Sequence, residues 1–456
     1  MDRRSGTGGG NAPRAERPSA TAMMITARLD RFINNETVQD FRHYSTDHIR
    51  NILDRFGTPH QSLHAVHIAG TNGKGSVAHM LNGIFTEAGY TAGLYTSPHL
   101  LTVNERIIVG NSPIPDKDLS LLIDEIIGCV DSDESLNPTY FDILTACAFR
   151  YFHSRGIDIA IIETGLGGRL DSTNIVTPLC SIITDISLDH AHVLGGTLPL
   201  IAREKAGIIK PDVYVITSNL DPDIIAVLNI EARSKKAPLL RLSRDFSTTG
   251  ITGTETGFRY DYAFNGRTRH DISGLEINHP MEKQVSNSSC AVTASLLLRN
   301  RFPKITDDVI RDGLQHFSAP GRFQVLCGHP LVIFDPAHNV AAMREMIGLV
   351  RVRYPRRHVL PVLTLMRDKD IGGIMDVLEE HRMRVLYFAI DDPRCYLPEP
   401  GSHPRVITRV IRADENELGR ALDSEICVDS LFFFIGSFRL YGTARGYAQR
   451  HEAKCS

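Results

Sequence analysis

The alternation of apolar and polar residues along the chain predicts short strands separated by helices. Apolar runs of strand length lie at residues 63–69, 91–96, 157–162, 179–184 and 213–217. Between several of these runs the apolar spacing becomes that of an amphipathic helix, most clearly at 116–130 and 139–154. Strands that alternate with helices predict a mainly parallel sheet with helices on both faces.

The pattern changes twice in the second half of the chain. Residues 240–280 contain short Thr/Gly-rich and aromatic segments, which predict small antiparallel strands. A helix is predicted at about 285–300, and the turn-rich stretch 318–322 is followed by a second strand–helix series. A second, separate α/β domain is therefore expected after this stretch.

Length and composition agree with two soluble domains. The 456 residues are 42% hydrophobic and 23% charged, which is ordinary for a globular protein. We predict a first domain at 22–317, a linker at 318–322 and a smaller domain at 323–456. Residues 1–21, rich in Gly, Arg, Ser and Pro, are predicted to be a disordered extension.

Charge and cysteine usage narrow the partners and the compartment. The formal net charge of −3 argues against a broad nucleic-acid or membrane-binding surface. The eight cysteines contain no CxxC pair, which favours a reduced protein without a structural zinc site. Because no secretory signal or membrane-length apolar run is seen, we expect the protein to be cytoplasmic.

A glycine-rich turn joins the first apolar run to a helical pattern. Its sequence is Gly70-Thr71-Asn72-Gly73-Lys74-Gly75-Ser76. Glycines let backbone N–H groups approach an anion, the helix N-terminus adds positive potential, and Lys74 would meet the outer phosphates of a nucleotide. Because Gly75 stands where a hydroxyl normally follows the lysine, Ser76 must supply the oxygen on the metal side. The alternative is an ordinary glycine turn.

Polar clusters follow other predicted strands, where ligands collect at the carboxyl ends of a parallel sheet. These clusters contain Ser97-Pro98-His99, Glu163 to Asp171, Asp189-His190, and the helical Glu204-Lys205. Glu163 and His190 are ligand types that can hold a divalent ion beside a triphosphate. A helix cap for Glu163 and a core or surface position for His190 remain open.

Taken in order, these motifs resemble those of the folylpolyglutamate synthase/dihydrofolate synthase family of the Mur ligase superfamily. The matching segments are GTNGKGS, YTSPHL, NERI, ETGLGGRLDSTN, DH, EKAGIIKP, APGR, FDPAHN and RDKD, from Gly70 to Asp370. The resemblance implies an α/β fold with a P-loop-type, mostly parallel ATPase domain. A smaller Rossmann-like C-terminal domain would carry the glutamate-ligase part.

The resemblance also implies a set of nucleotide and metal contacts. Residues expected to bind ATP are Gly70, Thr71, Asn72, Gly73, Lys74, Gly75, Ser76, Asn287, Arg322 and Asp335. Two Mg²⁺ ions are expected, one held by Ser97 and Glu163 with Ser76 at the phosphates, the other by His190 and Lys205. Lys205 would have to be carbamylated to serve as a ligand, since an ammonium cannot bind a metal. A solvated lysine, or one paired with Glu204, is the alternative.

Catalysis would then depend on Lys74, Glu163, His190 and Lys205. Substrate contacts are expected from Ser97, Pro98, His99, Arg106, Tyr140, Phe141, Asp171 and His338. Tyr140 and Phe141 offer flat surface for a pterin, although aromatic residues opening a helix are more often part of a core. Arg322 has an alternative role as a hinge ion pair.

The expected activity is ATP-dependent ligation of L-glutamate to dihydropteroate or reduced folates through an acyl phosphate. Alternatives are polyglutamylation alone, another Mur-type ligase, or a nucleotide-gated module that hydrolyses ATP without ligation. A cell-wall Mur ligase is disfavoured, because only about fifty residues outside the flexible tail precede Gly70, too few for a nucleotide-sugar domain. The partners expected are small molecules, with a monomeric protein and a possible monovalent cation requirement.

Overall fold

The computed structural model describes residues 20–34, 45–133, 135–188, 195–266 and 268–455. Residues 1–19 of the predicted extension, and both Asp189 and His190, lie outside these ranges. A helix begins at Ala20, two residues inside the predicted extension.

The larger sheet lies in the N-terminal half, as the apolar runs predict. Its strands are β1 Ala65–Ala69, β2 Ala92–Tyr95, β3 Ile107–Val109, β4 Ser112–Pro113, β5 Ile159–Glu163, β6 Cys180–Ile183, β7 Tyr214–Thr217 and β8 Leu239–Arg241. Their order across the sheet is β4-β3-β2-β5-β1-β6-β7-β8. The pairs β2–β3 and β3–β4 are antiparallel and the others are parallel. β1, which leads into the glycine-rich turn, is therefore a central strand.

Helices cover both faces of this sheet. Their bounds are α1 Ala20–Leu29, α2 Thr46–Asp54, α3 Lys74–Glu87, α4 Asp116–Asp131, α5 Tyr140–Ser154, α6 Leu198–Ala206, α7 Pro222–Ser234, α8 Lys283–Leu298 and α9 Asp307–Gln315. Val66 and Ile68 of β1 pack with α3, α8 and α9, whereas Ala65 packs with the helices on the opposite face. This alternation is the period-two pattern of a strand buried on both sides.

The predicted antiparallel segment is also present. It consists of β9 Phe246–Gly253, β10 Phe258–Asn265 and β11 Arg269–Ile277, with β10 in the middle. Tyr260 and Tyr262 bury their rings against α8, and their hydroxyls pair with Ser288 and Thr293. This small sheet fixes α8 behind the glycine-rich turn.

The second sheet follows residues 318–322. Its strands are β12 Gln324–Gly328, β13 Leu331–Asp335, β14 His358–Leu363, β15 Val385–Ala389, β16 Ile407–Arg412 and β17 Ser430–Ile435, in the order β12-β13-β17-β14-β15-β16. Only the β12–β13 pair is antiparallel among these described strands. The helices are α10 Val340–Arg353, α11 Ile371–Glu380, α12 Glu415–Asp423 and α13 Tyr441–Cys455. Apolar clusters on both faces complete an α/β domain, as predicted. None of the helices within the described ranges combines the length and apolarity that crossing a membrane requires.

Candidate active site

The glycine-rich turn runs directly from β1 into α3, with a backbone that two of its glycines make possible. Gly70 has φ 151° and Gly73 has φ 89°, both in the region that L side chains rarely adopt. A Cβ on Gly70 would lie 1.8 Å from Thr184 Oγ1, and one on Gly73 would lie 2.5 Å from Asn287 Oδ1. Backbone therefore approaches neighbouring side chains closely here, and the helix begins at Lys74 with its N–H groups facing the turn.

Lys74 folds back over this turn. Its Nζ donates to the carbonyl oxygens of Gly70 and Thr71 at 3.1 and 3.2 Å, and lies 3.9 Å from Glu163 Oε1. Carbonyl contacts of this kind can be exchanged for phosphate oxygens without moving the backbone. The ammonium is thus held where a nucleotide's outer phosphates would meet it.

Glu163 is the last residue of β5 and is 4% exposed. Its Oε2 accepts the Ser97 N–H at 3.3 Å. Burial raises the pKa of this carboxyl, while the nearby Lys74 ammonium and the Ser97 N–H oppose the shift. A cation bound beside Glu163 would stabilise its ionised form further.

Two amide side chains of α8 support the glycine-rich turn from behind. Gln284 Nε2 donates to Ser76 Oγ at 3.2 Å, and Asn287 Nδ2 donates to Gln284 Oε1 at 2.9 Å. Ser76, Gln284 and Asn287 are all buried. Asn287 therefore contacts the turn itself, through the close approach to Gly73.

Lys205 is buried rather than solvated, and it does not pair with its neighbour Glu204. Its Nζ donates to the Gly70 carbonyl at 2.8 Å, and the residue is 4% exposed. Glu204 instead accepts from Arg169 Nη2 at 2.9 Å. The two alternatives, a solvated lysine and a pair with Glu204, are therefore wrong. Lys205 instead contacts the glycine-rich turn.

The glycines of the Gly165–Gly168 turn pack against protein. A Cβ on Gly168 would lie 2.9 Å from the Glu204 carbonyl, and one on Gly165 would lie 2.6 Å from the Phe141 ring. The backbone of this turn therefore approaches α6 and α5 closely. These contacts hold the turn at the wall of the cavity between the two domains.

The start of α5 supplies an aromatic surface. Tyr140 and Phe141 are 4% and 7% exposed, and Phe141 stacks on Tyr95 with ring centroids 5.8 Å apart. The Arg106 guanidinium lies 5.6 Å from the Tyr140 ring centroid, and its Nε donates to His99 Nδ1 at 2.9 Å. Both aromatic residues combine core packing with a face toward the cavity.

The C-terminal domain contributes the opposite side. Arg322 lies 5.1 Å from the Phe438 ring centroid. Asp335 accepts the N–H groups of Phe323 and Ala337 at 2.9 and 2.8 Å, which orders the loop after β13. His338 Nδ1 lies 2.7 Å from the Pro336 carbonyl, which can only accept, so Nδ1 carries the proton.

One cavity of about 640 Å³ lies between the two domains. The predicted residues that line it are Gly70, Thr71, Asn72, Lys74, Ser97, Pro98, His99, Arg106, Tyr140, Phe141, Glu163, Asp171, Lys205, Arg322 and His338. Gly73, Gly75, Ser76, Asn287 and Asp335 stand behind its wall instead, and His190 lies outside the described residues. The volume suits a drug-sized substrate or a nucleotide.

The sequence reasoning missed much of the C-terminal wall. The lining residues it did not select there include Met366, Asp368, Lys369, Arg394, Ser437, Phe438 and Arg439. Arg394 and Arg439 both pair with Asp392, at 3.1 and 3.0 Å. All of these residues follow the carboxyl ends of β14, β15 and β17, so the rule used for the first sheet would have found them.

The donor set at this cavity fits a magnesium ion next to a nucleotide. Within the described ranges, no group of three or more His, Cys, Asp or Glu side chains could form a ready-made metal cage. Mg²⁺ commonly takes one or two carboxylates and completes its shell with phosphate oxygens and water. The buried Glu163 carboxylate beside Ser97 meets that need. Of the second predicted pair, Lys205 lies at the cavity and His190 lies outside the described residues.

Comparison with known families and proteins agrees with this architecture. Residues 68–295 match the Mur ligase middle domain, and residues 321–423 match the Mur ligase glutamate ligase domain. The chain is 34% identical over 353 residues to the dihydrofolate synthase/folylpolyglutamate synthase of Bacillus subtilis, covering 76% of this chain and 82% of that protein. It is also 34% identical over 363 residues to the folylpolyglutamate synthase of Lacticaseibacillus casei, covering 78% and 84%.

Solved structures extend the similarity to nearly the whole chain. Mycobacterium tuberculosis folylpolyglutamate synthase complexed with ADP and AMPPCP superposes with a TM-score of 0.83 at 28% identity, covering 94% of this chain and 98% of that one. An FPGS–AMPPCP–folate complex gives a TM-score of 0.79 at 28% identity, covering 93% and 99%. With both domains matched along the chain, this protein belongs to the dihydrofolate synthase/folylpolyglutamate synthase family of Mur ligases.

Proposed function

We propose that this protein uses ATP to join L-glutamate to dihydropteroate and to reduced folates. The observation that carries the proposal is the convergence of three chemistries on one cavity. A phosphate-type turn with Lys74 and Glu163, an aromatic surface at Tyr140 and Phe141, and a cationic C-terminal wall all open into it. Each suits one reactant: a triphosphate, a flat pterin ring and an amino acid with two carboxylates.

The chemical problem is that a carboxylate is a poor electrophile. Transfer of the γ-phosphoryl group to the pterin acid gives an acyl phosphate, which the uncharged glutamate amine attacks with release of inorganic phosphate. Lys74 and the N–H groups of the turn would hold the phosphates and balance their charge. A Mg²⁺ held by Glu163 and Ser97 would add neutralising positive charge when bound. Enclosure between the domains would exclude water from the reactive acid.

The C-terminal wall is the proposed amino-acid side. Lys369, Arg394 and Arg439 line it, and Asp392 holds the two guanidiniums in place. Arginine recognises carboxylates through paired hydrogen bonds, so these groups would orient glutamate toward the acyl phosphate. His338, with a proton on Nδ1, lies at the same side of the cavity.

Lys205 is proposed to carry a carbamate in the active protein. Its uncharged amine would add to carbon dioxide, forming an N–C bond and releasing one proton. The product is an anion at the end of a buried side chain beside the Gly70 carbonyl. Such an anion suits the second Mg²⁺, with His190 as the other proposed ligand. The protein is expected to act as a cytoplasmic monomer.

Turnover with dihydropteroate and with tetrahydrofolate tests the function, each in the presence of ATP and glutamate. Activity on both is expected, and activity on tetrahydrofolate alone would remove the first reaction. Dihydropteroate labelled with ¹⁸O in its carboxylate should transfer label to inorganic phosphate. Product formed without labelled phosphate would refute the acyl phosphate, and phosphate release that needs neither glutamate nor pterin would favour a simple ATPase.

A further inference from the structure

A buried polar chain runs beneath the aromatic side of the cavity, starting in the middle of β1. His67 is fully buried, and its Nε2 lies 2.8 Å from Thr173 Oγ1. Thr173 belongs to the short 3₁₀ turn Ser172–Ile175, and its hydroxyl donates to Asp171 Oδ1. Buried polar groups on a central strand are costly unless each bond is satisfied, so their arrangement calls for a reason.

The partners fix the direction of each hydrogen bond. Asp171 Oδ1 also accepts the Thr173 N–H at 3.0 Å, and Oδ2 accepts the Leu166 N–H at 2.9 Å. The Thr173 hydroxyl donates to Asp171 Oδ1, so its oxygen is left to accept from His67 Nε2–H. Burial raises the pKa of Asp171, and these hydrogen bonds oppose that shift.

The environment of His67 suits it to donate one hydrogen bond, to Thr173. Burial lowers the pKa of His67 to about 3, and the positive charge of Lys210 acts in the same direction. A neutral ring with its proton on Nε2 leaves Nδ1 bare, and Nδ1 indeed has no hydrogen-bond partner within the described part of the chain. His67 is therefore a fixed donor to Thr173.

A second branch connects the same turn to the aromatic surface. Ser172 Oγ donates to Asp142 Oδ1 at 2.6 Å. Asp142 Oδ2 accepts the Thr139 N–H and hydroxyl, each at 2.8 Å, which caps the N-terminus of α5 immediately before Tyr140. These hydrogen bonds thus join three segments of the cavity wall: the Gly165–Gly167 turn, residues 170–172 and the start of α5.

We propose that His67 and Thr173 are positioning residues for the pterin-bearing substrate, acting through Asp171 to set the spacing of these wall segments. The proposal rests on the proposed function. Neither residue is among those lining the cavity, so their effect must pass through the wall. The glycine-rich turn has its own supports, Gln284 and Asn287 of α8, which are not part of this hydrogen-bonded chain.

The proposal is tested in steady-state kinetics by comparing KM for dihydropteroate with KM for ATP. Thr173→Val removes the hydroxyl without changing side-chain size, and we expect about a tenfold rise in KM for dihydropteroate, as for one lost hydrogen bond. KM for ATP should stay within about twofold, since the glycine-rich turn keeps its own supports. Thr173→Ser, which keeps the hydroxyl, should behave like the unaltered protein.

Two substitutions of His67 give an independent test. In His67→Gln the amide nitrogen reaches about as far as Nε2 and should largely preserve KM for dihydropteroate, whereas His67→Asn is too short and should raise it. Thr293→Val is the matched control, because Thr293 is equally buried and its hydroxyl likewise has two partners, the Ser289 carbonyl at 2.7 Å and the Tyr262 hydroxyl at 2.8 Å. This control should leave both KM values unchanged.

Three results would overturn the proposal. They are an unchanged KM for dihydropteroate in Thr173→Val, equal increases in both KM values, and an equal increase in Thr293→Val. If Thr173→Val does not fold, the His67→Gln and His67→Asn pair decides the matter by the same readout. Failure of the unaltered protein to use either dihydropteroate or tetrahydrofolate would instead refute the proposed function.

Discussion

Adding one methyl group at Gly70 should distort the glycine-rich turn, with an effect on the free energy of unfolding and on KM for ATP that the structure allows us to estimate. In Gly70→Ala the new Cβ would lie 1.8 Å from Thr184 Oγ1, 3.0 Å from Thr184 Cβ and 3.2 Å from its backbone nitrogen. Thr184 cannot simply rotate away, because its hydroxyl donates to the Asn72 carbonyl at 2.8 Å. The backbone also holds φ at 151°, which alanine disfavours.

Two contributions set the size of the effect. Backbone strain of this kind costs about 1–3 kcal/mol, and overpacking of a buried contact costs about 1–3 kcal/mol. The free energy of unfolding should therefore fall by roughly 2–6 kcal/mol in Gly70→Ala. Thr184→Ala alone should lose about 1 kcal/mol with its hydrogen bond. The double variant should recover about 1–2 kcal/mol relative to additivity, since the closest overpacked contact, to Thr184 Oγ1, is removed while those to Thr184 Cβ and its backbone nitrogen remain.

Urea unfolding of the unaltered protein, the two single variants and the double variant gives the coupling energy between Gly70 and Thr184. KM for ATP shows whether the glycine-rich turn still binds nucleotide. Gly70→Ala should raise KM for ATP, with partial recovery in the double variant. Gly89→Ala is the control, because Gly89 has φ 73° but no atom within 4 Å of its Cβ position; it should show the strain contribution alone. A coupling energy within about 0.5 kcal/mol of zero would refute the reasoning, since independent sites add to that accuracy.

Three further predictions address the chemistry and the pH dependence. Lys74→Met should lower kcat at least about a hundredfold by removing a phosphate contact, while urea unfolding stays close to that of the unaltered protein; ATP turnover retained at the normal rate would contradict the assigned role. Lys205→Ala should lose activity that acetate or formate partly restores, and ¹³CO₂ should give a carbamate NMR signal in the unaltered protein only; neither rescue nor signal would remove the carbamate. His279 donates from Nε2 to the Arg322 carbonyl and accepts the Met281 N–H at Nδ1, and burial lowers its pKa to about 4. Because the unfolded state then binds the extra proton, His279 should reduce the free energy of unfolding by about 2 kcal/mol between pH 7 and 5, a loss largely absent in His279→Gln. Identical pH slopes in the two proteins would show that another group is responsible.

Much of the fold could be predicted from local pattern because strands and helices depend on neighbouring residues. The apolar runs gave the central strands, and the Thr/Gly-rich segment gave the small antiparallel sheet. The glycine-rich turn was equally readable, since close backbone approach and positive φ at Gly70 and Gly73 demand glycine. The ends of β1, β2 and β5 then located Lys74, Ser97 and Glu163 on the cavity.

Tertiary structure alone decided which partners these residues meet. Lys205 reaches Gly70 across 135 positions, and Glu204 turns instead to Arg169. Arg439 reaches Asp392, and His67 reaches Thr173 across 106 positions, so neither contact follows from local spacing in the sequence. Sequence by itself determined the elements and the phosphate-type turn, because both follow from local backbone geometry and side-chain period. The cavity wall and its charge balance follow from how two sheets and their loops pack, and only the folded chain contains that information.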